Sequence, residues 1–166
     1  MKNKISQTIK IPEGITCKYT QKNLACKKDS LELSKKLFSP DITIEVKNNE
    51  ILLGCKKGNK IHYKKIMTFL AHIKNIFKGL TEEYVYNLES CNVHFPMTLK
   101  VESGKLAINN FLGEKIPRYA KILPNVKVMI SGQQITISSS DKEAAGQTAA
   151  NFEKATVIKN LDRRVY

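Results

Sequence analysis

Acidic residues are scarce in this chain of 166 residues. Fifteen Asp and Glu stand against 28 Lys and Arg, for a formal net charge of +13. Self-repulsion on that scale disfavours a compact chain unless an anionic partner neutralises it. The partner classes are therefore nucleic acid, an anionic membrane surface or an acidic protein. Membrane is the weakest of these. No apolar run approaches the ~20 residues a spanning helix needs. Met1-Lys2-Asn3-Lys4 is not followed by an apolar core of the signal type. Paired cysteines are missing as well. Cys17, Cys26, Cys55 and Cys91 include no C-x-x-C spacing, and Cys91-x-x-His94 supplies only two metal-type ligands. A structural zinc site needs four, so the four are expected to be buried or half-buried free thiols in a reducing compartment. Catalytic signatures are also absent. There is no phosphate-binding glycine loop, no G-x-S-x-G and no H-E-x-x-H, and the three histidines do not fall into metal spacing with carboxylates. The reading is of a protein that binds and does not catalyse, without a metal, a cofactor or a small-molecule substrate.

What is present is alternation. Ile9 and Ile11 alternate, then Ile15, Cys17 and Tyr19, then Leu24 and Cys26, then Leu31 and Leu33. After Pro40 come Ile42, Ile44 and Val46, and then Ile51 and Leu53. A period of two with frequent turns predicts antiparallel strands with one wet face. The period then changes. Ile66, Phe69, Leu70, Ile73, Ile76 and Phe77 form one apolar stripe, which predicts a helix from about His62 to Lys78 with Gly79 as its stop. Lys64, Lys65, Lys74 and Lys78 lie off the stripe, as a solvated face. Strand character returns at Tyr84–Tyr86, Val93–Phe95, Leu99–Val101, Leu106–Ile108, Val126–Ile130 and Ile135–Ile137. Ser140-Asp141-Lys142-Glu143 has the S-x-x-E form of a capping box opening a second helix. Its buried stripe would be Ala145, Thr148 or Ala149, Phe152 and Ala155.

Strands followed by a helix thus occur twice. Ile15-x-Cys17-x-Tyr19, a turn and Leu24-x-Cys26 resemble Val126-x-Val128-x-Ile130, a turn and Ile135-x-Ile137. The expected fold class is α+β, with two tandem copies of a small antiparallel sheet and a helix packed on one face. The copies are expected at residues 1–79 and 80–166, each small enough to need support from the other.

Between the strands of the second copy lies Ile108 to Gly132, where Lys115, Arg118, Lys121 and Lys127 stand against one acid, Glu114. Gly113, Pro117 and Pro124 mark it as a turn-rich connection. Such a segment makes poor core and a good surface for gripping phosphates. Lys142, Lys154, Lys159, Arg163 and Arg164 are the next candidates. Tyr119 and Tyr166 are candidates for stacking on a base or sugar. The end of the chain after Lys154 reads as extended and is expected to become ordered on its partner.

Several motifs resemble one known family. They are His72-x-x-Asn75-x-x-Lys78-Gly79-Leu80-Thr81, Val93-His94-Phe95-Pro96, Asn110-Phe111-Leu112-Gly113-Glu114-Lys115, Gly146-Gln147-Thr148-Ala149-Ala150 and Ala155-Thr156-Val157-x-Lys159-Asn160. The chain resembles the large-subunit ribosomal proteins of the "L-six" family (the "L-nine" type in eukaryotes), on the archaeal and eukaryotic branch. The resemblance implies a duplicated α+β structural protein of the cytoplasmic ribosome. It further implies that the second domain binds large-subunit rRNA near the sarcin–ricin loop, where translational GTPases dock. Neighbouring large-subunit proteins would be further partners. The alternative is a free RNA-binding module acting outside the ribosome. Two departures stand out. The family's V-K-G-P-x-G turn is here Ala25-Cys26-Lys27-Lys28-Asp29-Ser30, so a different turn geometry is expected. The C-terminal R-x-F-x-D-G-I-Y pattern is shortened to Arg163-Arg164-Val165-Tyr166.

Overall fold

The computed structural model describes residues 3–47, 49–92 and 94–158. The chain divides into two compact units, 1–82 and 83–166. The first unit contains β1 (Asn3–Lys10), β2 (Thr16–Thr20), β3 (Asn23–Lys28), β4 (Leu31–Lys36), β5 (Thr43–Lys47), β6 (Glu50–Gly58) and α1 (Lys60–Thr81). The second contains β7 (Tyr84–Glu89), β8 (Thr98–Glu102), β9 (Lys105–Asn109), β10 (Arg118–Lys121), β11 (Lys127–Ser131), β12 (Gln134–Ser139) and α2 (Lys142–Ala155). Each unit holds two three-stranded antiparallel sheets and a helix. The sheet orders are β1-β6-β5 and β2-β3-β4 in the first, β7-β12-β11 and β8-β9-β10 in the second. Element by element, the second unit repeats the first.

That correspondence corrects the internal repeat read from the residues. The Cys17 and Cys26 strands, β2 and β3, match β8 and β9. The Val128 and Ile137 strands, β11 and β12, match β5 and β6. Two alternating apolar runs joined by a short turn occur twice in each unit, so pattern alone paired the wrong hairpins. Of the predicted strand at Val93–Phe95, Val93 lies outside the described residues, and His94 and Phe95 lie in a bend, their rings edge to face at 5.0 Å. Conversely, β10 lies within what reads in sequence as a loop.

The helices are set by their caps and stripes. Asn59 caps α1 by accepting from the backbone N–H groups of Ile61 and His62, while the His62 ring accepts from the Asn59 N–H, closing a reciprocal capping box. The helix does not stop at Gly79. Gly79 and Leu80 are both buried and the last turn runs through Thr81, so the division between the units falls three residues later than the glycine suggests. In α2 the N-cap is Asp141, not Ser140. Its carboxylate accepts the Glu143 N–H at 2.9 Å, and Asp141's own N–H is taken by Ser139 Oγ at 3.2 Å. The buried stripe is Ala145, Thr148 and Phe152. The Asp29-Ser30 turn forms without glycine because Asp29 itself takes the left-handed conformation, φ 51°.

Each unit has its own core. The first gathers Leu24, Cys26, Ile51, Leu53, Ile66 and Ile73; the second gathers Leu106, Ile108, Phe111, Ile135, Ile137 and Phe152. Leu53 is fully buried in β6, between β1 and β5. Truncating Leu53 to alanine is expected to lower stability by about 2–5 kcal/mol in urea denaturation followed by circular dichroism. Met129→Ala, at a side chain 70% exposed, is expected to stay within about 0.5 kcal/mol of the parent.

Candidate nucleic-acid interface

The basic stretch of the second unit is shaped by three left-handed residues in a row of four. Asn110, Leu112 and Gly113 have φ of 58°, 50° and 78°. The Asn110 side chain donates to the Pro96 carbonyl at 3.0 Å. A Cβ on Gly113 would stand 3.2 Å from the Phe95 ring, so both conformation and space require glycine there. The tight turn buries Phe111 and delivers Glu114 to Arg118. Arg118 donates through Nε to Glu114 Oε2 at 2.7 Å and through Nη2 to Oε1 at 2.5 Å. Its Nη1 donates to the carbonyl of Ala155, the last residue of α2, at 2.9 Å and to that of Val157 just beyond at 3.3 Å. The guanidinium carbon lies 4.3 Å from the centre of the Phe111 ring. Four of its five N–H donors are therefore directed into the protein. The paired guanidinium holds the Glu114 carboxyl below its usual range, and the same hydrogen bond raises Arg118.

α2 anchors the rest of β10. Asn151 donates to the Lys121 carbonyl at 3.0 Å, and Thr148 Oγ accepts the Leu123 N–H at 3.3 Å. β10 is an edge strand, and the helix satisfies backbone groups that would otherwise invite another strand. With Arg118 and Ala120 turned inward, alternation turns Tyr119 and Lys121 to the other face. Register then builds that face. Tyr119 stands opposite Ala107, which stands opposite Lys100; Lys121 stands opposite Lys105, which stands opposite Glu102. Tyr119 is 57% exposed, and Lys100, Lys105 and Lys121 are exposed. Lys115 is exposed in the adjoining loop, next to Ile116 at 80%. Among the described residues, no ion pair or hydrogen bond engages the ammonium groups of these four lysines.

The sequence candidates thus separate. Lys115 and Lys121 belong with this sheet face. Arg118 is committed inward. Lys127 lies on the other sheet, in β11, with its ammonium 2.9 Å from Glu83, whose carboxyl is held low by that bond and by Ser138. Lys142 lies 5.8 Å from the centre of the Tyr84 ring. Lys154 is exposed in the last turn of α2, where a cation favours the helix dipole. Lys159, Arg163, Arg164 and Tyr166 lie outside the described residues. Lys100 and Lys105 went unnoticed in sequence. Their signal is the hairpin turn at Ser103-Gly104, with φ of 45° and 74°, which joins β8 to β9 and sets Lys105 opposite Glu102 and Lys100 opposite Ala107.

No group of three or more His, Cys, Asp or Glu among the described residues is arranged to hold a metal ion. No described helix is long and apolar enough to cross a membrane. Architecture and surface define a strongly cationic, duplicated α+β protein whose second unit exposes a lysine-bearing sheet face. Its relatives are of one kind. The family described as Ribosomal protein L6 matches residues 95–165. The large ribosomal subunit protein uL6 of Methanosarcina mazei is 39% identical over 166 residues, covering 100% of this chain and 94% of the relative. Those of Methanothrix thermoacetophila and Haloarcula marismortui are 37% and 36% identical, over 100% and 95% of this chain and 94% and 89% of their own lengths. The chain belongs to the uL6 family of large ribosomal subunit proteins, on its archaeal side. These are structural proteins, not enzymes.

The Arg118–Glu114 pair makes stability depend on pH. Glu114's folded pKa is depressed, so its contribution is present above the unfolded value of about 4.3 and is lost as pH falls through the folded value. Glu114→Gln is expected to lower the melting temperature at pH 7 and to converge with the parent in acid, in paired thermal scans. Arg118→Lys is expected not to restore Arg118→Ala, because an ammonium cannot span the carboxylate and lie flat on Phe111.

Proposed function

We propose that this protein is a structural constituent of the large ribosomal subunit and holds large-subunit rRNA through the outer face of β8, β9 and β10. The reading is supported by family membership and the net charge of +13. The observation that carries it is the face itself: Lys100, Lys105 and Lys121 beside Tyr119, with Lys115 at its edge and no internal partner for any of the four ammonium groups among the described residues. The ammonium groups neutralise phosphates and release counterions. The Tyr119 ring offers a platform for an unpaired base or a ribose. Arg118 acts indirectly here, by fixing the strand that carries Tyr119 and Lys121. Lys127, Lys142 and Lys154, and beyond the described residues Lys159, Arg163 and Arg164, extend the contact around the second unit.

The second unit is the main binding domain in this reading. The positions of the first unit equivalent to Lys105 and Tyr119 are Asn23, opposite Thr20 across the matching hairpin, and Ser34, opposite Ala25. Both the extra cation and the stacking ring are missing there. By resemblance to its family, the bound rRNA is the region of the sarcin–ricin loop, where translational GTPases dock. Neighbouring large-subunit proteins complete the site, and the protein acts in the cytoplasm as part of the ribosome.

The purified chain is expected to bind a large-subunit rRNA fragment with strong salt dependence. Lys105→Ala, Lys115→Ala and Lys121→Ala are each expected to reduce the slope of log affinity against log salt by about one unit. Lys64→Ala with Lys65→Ala, on α1, is expected to change it less. Filter binding between low and moderate salt, with incorporation into sedimenting large subunits as a second readout, checks both. A salt-independent affinity, or a larger loss from the α1 pair in folded protein, would refute the assignment.

A further inference from the structure

The first unit carries two cysteines that its hairpin places face to face. β2 and β3 are joined by only two residues, Gln21 and Lys22, with φ of 49° and 68°. Positive φ at both positions is the type I′ turn that suits a two-residue hairpin. In such a hairpin the flanking pair, Thr20 and Asn23, is the hydrogen-bonded one. Alternation along an antiparallel ladder then makes Tyr19 and Leu24 a non-hydrogen-bonded pair, Lys18 and Ala25 hydrogen-bonded, and Cys17 and Cys26 non-hydrogen-bonded. Non-hydrogen-bonded partners have the closer side chains, with Cα atoms about 4.5 Å apart. A disulfide accepts Cα separations of about 4.4–6.8 Å.

We propose that Cys17 and Cys26 form a peroxide-reactive dithiol that closes into a cross-strand disulfide, with Cys17 attacking first. Cys17 is the half-buried partner and Cys26 is fully buried, so the oxidant meets Cys17. The neighbouring Cys26 thiol draws the Cys17 pKa down, while Cys17 and burial together push that of Cys26 up. The Cys17 sulfur attacks one oxygen of hydrogen peroxide, the O–O bond breaks, and the leaving hydroxide takes a proton to become water. Cys17 is then a sulfenic acid. The Cys26 sulfur attacks it, the S–O bond breaks, and the Cys26 proton leaves with the oxygen as a second water. Two thiols are oxidised and one peroxide is reduced to two waters.

The other cysteines lack this arrangement. Cys55 stands opposite Ile5 in the sheet, and Cys91 is exposed in the segment after β7. In the second unit the pair equivalent to Cys17 and Cys26 is Leu99 and Ile108, two aliphatic residues. The site is therefore a property of this one hairpin and not of the repeated fold.

The test uses the full chain carrying Cys91→Ser, which removes pairing between copies. It is titrated with hydrogen peroxide, blocked with an alkylating reagent and mapped by mass spectrometry without reduction. The expected product joins the Cys17 and Cys26 peptides, leaves Cys55 alkylated, and returns to two alkylated thiols on reduction. Adding Cys17→Ser is expected to leave Cys26 unoxidised at the same peroxide dose, with circular dichroism confirming the fold. The proposal is overturned if Cys17 proceeds to sulfinic acid while Cys26 stays a thiol. It is equally overturned if Cys26 pairs with Cys55, or if both thiols survive a dose that oxidises Cys91 in the parent chain.

Discussion

One guanidinium organises the second unit. Arg118 ties the turn that buries Phe111 and its own edge strand, β10, to the carbonyls at the C-terminal end of α2, more than thirty residues away. A charge placed inward is costly unless its donors are satisfied. Here a two-pronged carboxylate, two carbonyls and an aromatic face satisfy them. With Arg118 held inward, the pleat of the strand leaves Tyr119 and Lys121 no choice but the outer face. The cation that looks most suited to phosphate in sequence is thus the one whose internal role positions the others.

The two units show what duplication preserves and what it releases. Strand order, hairpin length and helix position are repeated, because they are set by backbone hydrogen bonding and by the apolar faces of the two cores. The outer-face residues are not constrained in that way, and they have diverged. Where the second unit presents Lys105 and Tyr119 outward, the first presents Asn23 and Ser34; on the core side, where the second sets Leu99 opposite Ile108, the first opposes two thiols. Equivalent frames therefore support different surface chemistry.

The family motifs take on physical meaning in this light. Asn110-Phe111-Leu112-Gly113-Glu114-Lys115 is a turn whose left-handed residues, buried ring and carboxylate together seat Arg118, and its last residue is an exposed cation at the edge of the face. Only Lys115 in the motif is free to meet an anion. The other residues build the support behind the surface.

Much of the architecture was legible in the residues themselves. Period-two runs announced most of the strands, the Ile66–Phe77 stripe announced α1, and the excess of lysine announced an anionic partner, because each of these depends on local pattern or on composition. The pairing of strands was not legible. β2–β3 and β5–β6 have the same local pattern, and only long-range hydrogen bonding decides which hairpin matches which. Nor was β10, whose four residues, Arg-Tyr-Ala-Lys, carry no apolar run and become a strand because β9 and α2 hold them on either side. The sequence alone determined that the protein is basic, α+β and twofold repeated. The tertiary structure alone decided which cations face outward together, since Lys100, Lys105 and Lys121 meet only through register, and register is a property of paired strands and not of any one of them.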